Sequence, residues 1–138
     1  MGKTFDMQDL RNLKLFTKIT KVITSHCIKY NDTIIFAVPK IMMSKSLGKN
    51  AENIQKMKRI LKKRVKIIPM LKGEENMKAF FTNIVNPTEF KDLEVLNDEI
   101  IITGGRENKA ALIGRNKRRL LELQTIARDY YGKGLKIA

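Results

Sequence analysis

The chain has 138 residues, 43% of them hydrophobic, which is enough for one ordinary domain or two very small ones around a real core and too many for a disordered tail. Its 28 Lys and Arg against 14 Asp and Glu leave a net charge of +14, a surplus that costs self-repulsion and points first to nucleic acid, then to an anionic membrane surface, with plain solubility as the reading that needs no partner. The one cysteine, Cys27, excludes an intrachain disulfide, residues 1–14 lack the apolar run of a secretory signal, and runs such as Ile34–Val38 and Ile100–Ile102 are too short to cross a bilayer, so the expectation is a soluble cytoplasmic protein without a membrane partner.

Asp6 can cap a helix over residues 7–22, with Leu15, Ile19 and Val22 at helical spacing and Lys14, Lys18 and Lys21 facing away. Residues 26–30 and 34–38 are apolar runs around Asn31-Asp32, which reads as a β-hairpin. Pro39 closes the second strand and opens a helix through Leu47, and Gly48-Lys49-Asn50-Ala51 interrupts it. A further helix starts near Glu52 with Ile54, Met57, Ile60 and Leu61 on one face, and Val65–Ile68 is a closing strand.

Residues 74–85 carry the clearest helical period, with Met77, Phe80, Phe81, Ile84 and Val85 on one face, and Asn86-Pro87 ends it. A strand over 90–96, an Asn97-Asp98 turn and a strand over 100–103 follow. Gly104-Gly105 breaks that strand, 107–113 is a short helix, and Gly114-Arg115-Asn116-Lys117 interrupts again. A long helix, with Leu120, Leu123, Ala127 and Tyr130 in line, runs to about Tyr131. Gly132 ends it, and residues 134–137 form a last strand.

The second half repeats the first. Gly48 and Gly114 differ by 66, and the same shift carries Ile34 to Ile100, Asn50 to Asn116 and Ile54 to Leu120. The last strands drift, with Ile67 opposite Ile137, so the second copy has a longer last helix or turn. Each copy reads helix, strand, strand, short helix, glycine break, helix, strand. The boundary falls near residues 70–73, giving units 1–70 and 71–138 joined by a linker short enough to pack them together.

A glycine break opening a helix has a physical use. The helix start offers free backbone N–H groups and the positive end of its dipole, glycine lets a phosphate approach the main chain, and Lys49 and Arg115 add charge. Residues 113–120 (Ile-Gly-Arg-Asn-Lys-Arg-Arg-Leu) and 47–54 (Leu-Gly-Lys-Asn-Ala-Glu-Asn-Ile) resemble the Ile-Gly-x-x-Gly core of KH domains. The element order is similar to that of type II (prokaryotic) KH domains, and two such units in so short a chain resemble the archaeal NusA-like transcription factors. The resemblance implies an α+β fold of two tandem type II KH domains packed together, each a three-stranded sheet with three helices. It implies a factor in transcription elongation or termination that binds single-stranded RNA, with RNA polymerase as a second candidate partner. KH loops clamp about four nucleotides. Carried onto this sequence, the RNA-binding residues are Gly48, Lys49, Asn50 and Ala51, and Gly114, Arg115, Asn116 and Lys117, with Arg118 and Arg119 beside them. Leu47, Ile54, Ile113 and Leu120 are the apolar groove walls, or core residues at helix junctions. The second glycine of the motif is Ala51 in one copy and Lys117 in the other, so the second loop is expected to reach RNA through its cations more than through bare backbone.

Nothing points to an enzyme, a cofactor or a small-molecule substrate. His26 and Cys27 stand without the further ligands a metal needs, the acids show no paired spacing, and Gly104-Gly105-Arg106 lacks the end of a phosphate-binding P-loop and reads as a strand-ending turn. The basic run Lys56–Lys66 is an extra RNA track, a face for RNA polymerase, or solvation. Two other functions fit the residues: a ribosomal or ribosome-biogenesis KH protein on rRNA, and a protein-interaction module whose loops are vestigial.

Overall fold

The computed structural model describes residues 6–138. Helix α1 spans Met7–Thr20 and begins in a capping box. The Asp6 carboxylate accepts from the Asp9 N–H at 2.7 Å, and the Asp6 N–H donates to the Asp9 carboxylate at 3.3 Å. Lys21 ends the helix in a left-handed conformation. The strands β1 (His26–Tyr30) and β2 (Thr33–Val38) pair antiparallel, with Ile28 opposite Ile35. Asn31 and Asp32 both turn at positive φ, the geometry that matches the twist of a two-residue hairpin. After a 3₁₀ turn over Lys40–Met42 come α2 (Met43–Leu47), α3 (Glu52–Leu61) and β3 (Arg64–Pro69). Strand β3 pairs parallel to β2, so the sheet order is β1-β2-β3. The central position of β2 explains its unbroken apolar run: Ile34 through Val38 are all buried.

The first core gathers where α1, α2 and α3 cover this sheet. Phe16 stacks on Phe36 with ring centroids 4.5 Å apart, and Val22, Cys27, Met57, Val65 and Ile67 complete the cluster. Such an aromatic pair adds about 0.5–1.5 kcal/mol beyond the area it buries. Two expectations need correction. On α1 the deepest apolar residue is Phe16, fully buried, while Leu15 and Ile19 are half-buried. On α3 Ile60 is 60% exposed, and the polar Asn53 takes a buried place on that helix instead.

A 3₁₀ turn over Glu74–Asn76 leads into α4 (Met77–Val85), in which Met77, Phe80, Phe81, Ile84 and Val85 are all buried. The chain divides into two compact units between Phe80 and Phe81, within this helix and later than the boundary expected near residue 70. The second unit then repeats the topology of the first. Strands β4 (Asp92–Leu96) and β5 (Glu99–Thr103) pair antiparallel around Asn97-Asp98, again both at positive φ. Helix α5 (Gly105–Ile113) starts at the second of the two glycines, so Gly104-Gly105 opens a helix as well as closing a strand. Helix α6 (Arg118–Tyr131) and β6 (Gly134–Ile137) follow, β6 parallel to β5 in the order β4-β5-β6. Tyr131 packs against Phe81 with centroids 6.0 Å apart.

Among the described residues the architecture is therefore α+β, with six α-helices and two three-stranded mixed sheets. The drift of the last strands has a local cause. Phe36 pairs with Ile67 and Ile102 with Ile137, because α6 has 14 residues where α3 has 10.

Candidate nucleic-acid interface

Each unit sets one glycine turn between two helices, and the two turns share one backbone geometry. Gly48 has φ 76 and ψ 175, and Gly114 has φ 77 and ψ 169, a region that only glycine occupies at ease. The Gly48 N–H closes α2 on the Ser44 carbonyl at 3.0 Å, and the Gly114 N–H closes α5 on the Ala110 carbonyl at 2.9 Å. Asn50 and Asn116 are left-handed at φ 55. Ala51 and Lys117, in the place of the second glycine, are left-handed too, at φ 55 and φ 59. Each donates its N–H to the carbonyl of the first glycine at 3.2 Å. Asparagine tolerates this conformation, whereas for alanine or lysine it costs roughly 1–2 kcal/mol. Both units hold the turn against that strain.

The turns open α3 and α6 with no side chain capping either helix. First-turn N–H groups and the positive dipole end therefore face the loop. Lys49 and Asn50 are exposed in the first loop, and Arg115, Asn116, Lys117 and Arg118 in the second. The charge differs between them. Lys49 shares the first loop with the exposed acid Glu52, whose counterpart in the second is Arg118. Leu47 and Ile54 are half-buried and pack on the first core, so they are core residues that keep an open side. Ile113 and Leu120 are half-buried likewise.

Sequence reasoning missed the structural role of one pair of residues. The Asn53 amide, 8% exposed, donates to the Lys45 carbonyl at 3.3 Å and the Ser46 carbonyl at 3.0 Å. The 66-residue shift carries Asn53 to Arg119, and the Arg119 Nη1 donates to the Ala111 carbonyl at 3.0 Å. Both side chains reach back across the glycine to the end of the preceding helix and tie the two helices together. A Cβ on Gly48 would stand 2.9 Å from Asn53 Nδ2, and one on Gly114 would stand 2.8 Å from Arg119 Cγ. Each glycine thus makes room for its brace. Arg119, read as a phosphate contact, has one donor engaged in this way. The signal for Asn53 was a lone amide on the apolar side of a helix.

Among the described residues no group of three or more His, Cys, Asp or Glu could hold a metal ion, and no helix is long and apolar enough to cross a membrane. Cys27 is fully buried in the first core.

No known protein family matches the chain, and no curated protein does. Among solved structures, the one described as "Crystal structure of APE1850" is similar over 97% of this chain and 100% of that one, with a TM-score of 0.65 and 18% sequence identity. At that identity the likeness is one of fold.

Proposed function

We propose that the chain binds single-stranded RNA, each unit acting as a type II KH domain, as a NusA-like cytoplasmic factor in transcription elongation or termination. The observation that carries the reading is the pair of glycine turns: two copies of one strained backbone geometry, each opening an uncapped helix beside exposed cations. Phosphates would lie on the turn and the first-turn N–H groups, with bases toward Leu47 and Ile54 or Ile113 and Leu120. The strand order, with a parallel pair and an antiparallel edge, supports the KH assignment. The transcription role and a contact with RNA polymerase rest on the family resemblance alone.

The test is fluorescence anisotropy of the full chain against short single-stranded RNA, duplex RNA and single-stranded DNA at two salt concentrations. The expected result is a preference for single-stranded RNA, with log K falling against log salt by about 0.7 per phosphate held. The double variant Lys49→Asp, Arg115→Asp is expected to weaken binding strongly while its circular dichroism stays that of the parent. Unchanged affinity in that variant would refute the loop assignment.

A further inference from the structure

The net charge is unevenly placed. Residues 6–80 hold 17 Lys and Arg against 6 Asp and Glu, a net +11, whereas residues 81–138 hold 10 against 8, a net +2. Two copies of one fold therefore differ in what surrounds them. In the second unit the cations stand in the loop, at Arg115, Lys117 and Arg118. In the first they stand along one helix and the turn after it. Lys56, Lys58 and Arg59 are exposed on the sides of α3 left open by the buried Asn53 and Met57, and Lys62 and Lys63 are exposed in the turn that follows the helix. None of the five side chains has an ion-pair or hydrogen-bond partner among the described residues. Helix α1 packs beside α3 and turns Arg11, Lys14 and Lys18 to solvent. Of the acids near by, Asp6 and Asp9 hold Lys29 at 3.5 and 3.4 Å, and Glu52 stands exposed in the first turn of α3.

The helix dipole favours Lys58 and Arg59 in the last turn of α3 and the lysines at its end, but it does not reach Lys56, mid-helix. The same fold also does without this band. The 66-residue shift carries the five positions to Glu122, Gln124, Thr125, Arg128 and Asp129 on α6, a face of mixed sign.

We propose that the solvent face of α3 and the lysine turn after it form a second phosphate track, taking the RNA backbone that runs on from the Gly48 loop. The helix follows that loop directly and is ten residues long, about 15 Å, room for roughly two or three phosphates of an extended strand. Its composition favours RNA over an acidic protein surface. The band is four lysines to one arginine with no aromatic side chain, and protein interfaces are depleted in lysine and anchored by aromatics. The track extends the site proposed above but stands on its own residues.

The test uses 16-nucleotide oligouridylate and the full chain, titrated by anisotropy across a salt series. The band variant Lys58→Gln, Arg59→Gln, Lys62→Gln, Lys63→Gln removes four exposed charges from a face with no packing role. It is expected to lower the slope of log K against log salt by about 2 and to weaken binding at least about tenfold at low salt. Lys49→Asp with Arg115→Asp, measured alongside, separates the two ideas. A band variant that loses slope while the loop variant changes nothing keeps the track and removes the loop assignment. A band variant with the parent's slope and affinity overturns the track, whatever the loop variant does. Retained RNA binding with lost retention on RNA polymerase would overturn it in favour of a protein face.

Discussion

Replacing Ala51 and Lys117 by glycine tests the strain held in the two turns. Both residues are left-handed, at φ 55 and φ 59, where a side chain costs roughly 1–2 kcal/mol relative to glycine. Glycine returns part of this as extra freedom of the unfolded chain, roughly 0.5–1 kcal/mol. The balance is a stabilisation of about 0.5–1 kcal/mol for each change. The two positions lie in separate compact units, so the effects are expected to add. The double variant gains about 1–2 kcal/mol, a rise in melting temperature of roughly 3–8 °C for a chain of this size. Urea titration followed by far-ultraviolet circular dichroism reads this directly, with calorimetry as a second probe. RNA titration separates the two sites. Ala51→Gly bares the backbone and removes no charge, so affinity is expected to rise. Lys117→Gly bares the backbone but loses a cation, so its salt slope is expected to fall by about 0.7. A loss of stability in both single variants would refute the argument, because it would mean that neither residue is left-handed in solution.

Further outcomes follow from the same geometry. Asn53→Ala leaves the Lys45 and Ser46 carbonyls without their donor and is expected to lower stability by about 1–3 kcal/mol in urea titration. Asn53→Asp, which cannot donate when ionised, is expected to fail at neutral pH as alanine does. Gly114→Ala forces a Cβ to within 2.8 Å of Arg119 Cγ at φ 77 and is expected to destabilise by at least about 2 kcal/mol on the same assay. Burial pushes the Tyr131 hydroxyl up to about 12. A folded state that holds this proton more tightly than the unfolded chain keeps its full stability below pH ~10, the ordinary tyrosine value, and loses it as pH rises toward 12. Tyr131→Phe is expected to flatten that decline in denaturation midpoints measured from pH 9 to 12.

The legible parts of the fold were those where one local signal suffices. Asn31-Asp32 and Asn97-Asp98 tolerate positive φ, so both hairpins stood out. Helix α4 repeats large apolar residues so regularly that its buried face was legible residue by residue. The misses came where tertiary context decides. Ile60 fits the helical period of its neighbours but lies where no other element covers α3, and Phe16 competes with Leu15 and Ile19 for one apolar stripe. In the candidate site the glycines and loop cations were legible from spacing. The braces were not, because whether Asn53 points outward or back at a carbonyl depends on the angle between two helices. The strain at Ala51 and Lys117 was hidden for a related reason: a residue type does not disclose its own φ.

The extra length of α6 also says how such a unit can change size. Four added residues turn a helix through about 400°, so its sides come back to within about 40° of where they began while its end moves on by about 6 Å. Leu123, Ile126 and Ala127 therefore stay on the covered side of the longer helix. One added residue would instead swing that side through about 100° and bring it into water. Insertions and deletions in this architecture are thus quantised by helical phase, and a related chain that differs in length between its second glycine turn and its last strand is expected to differ by three, four or seven residues rather than one or two.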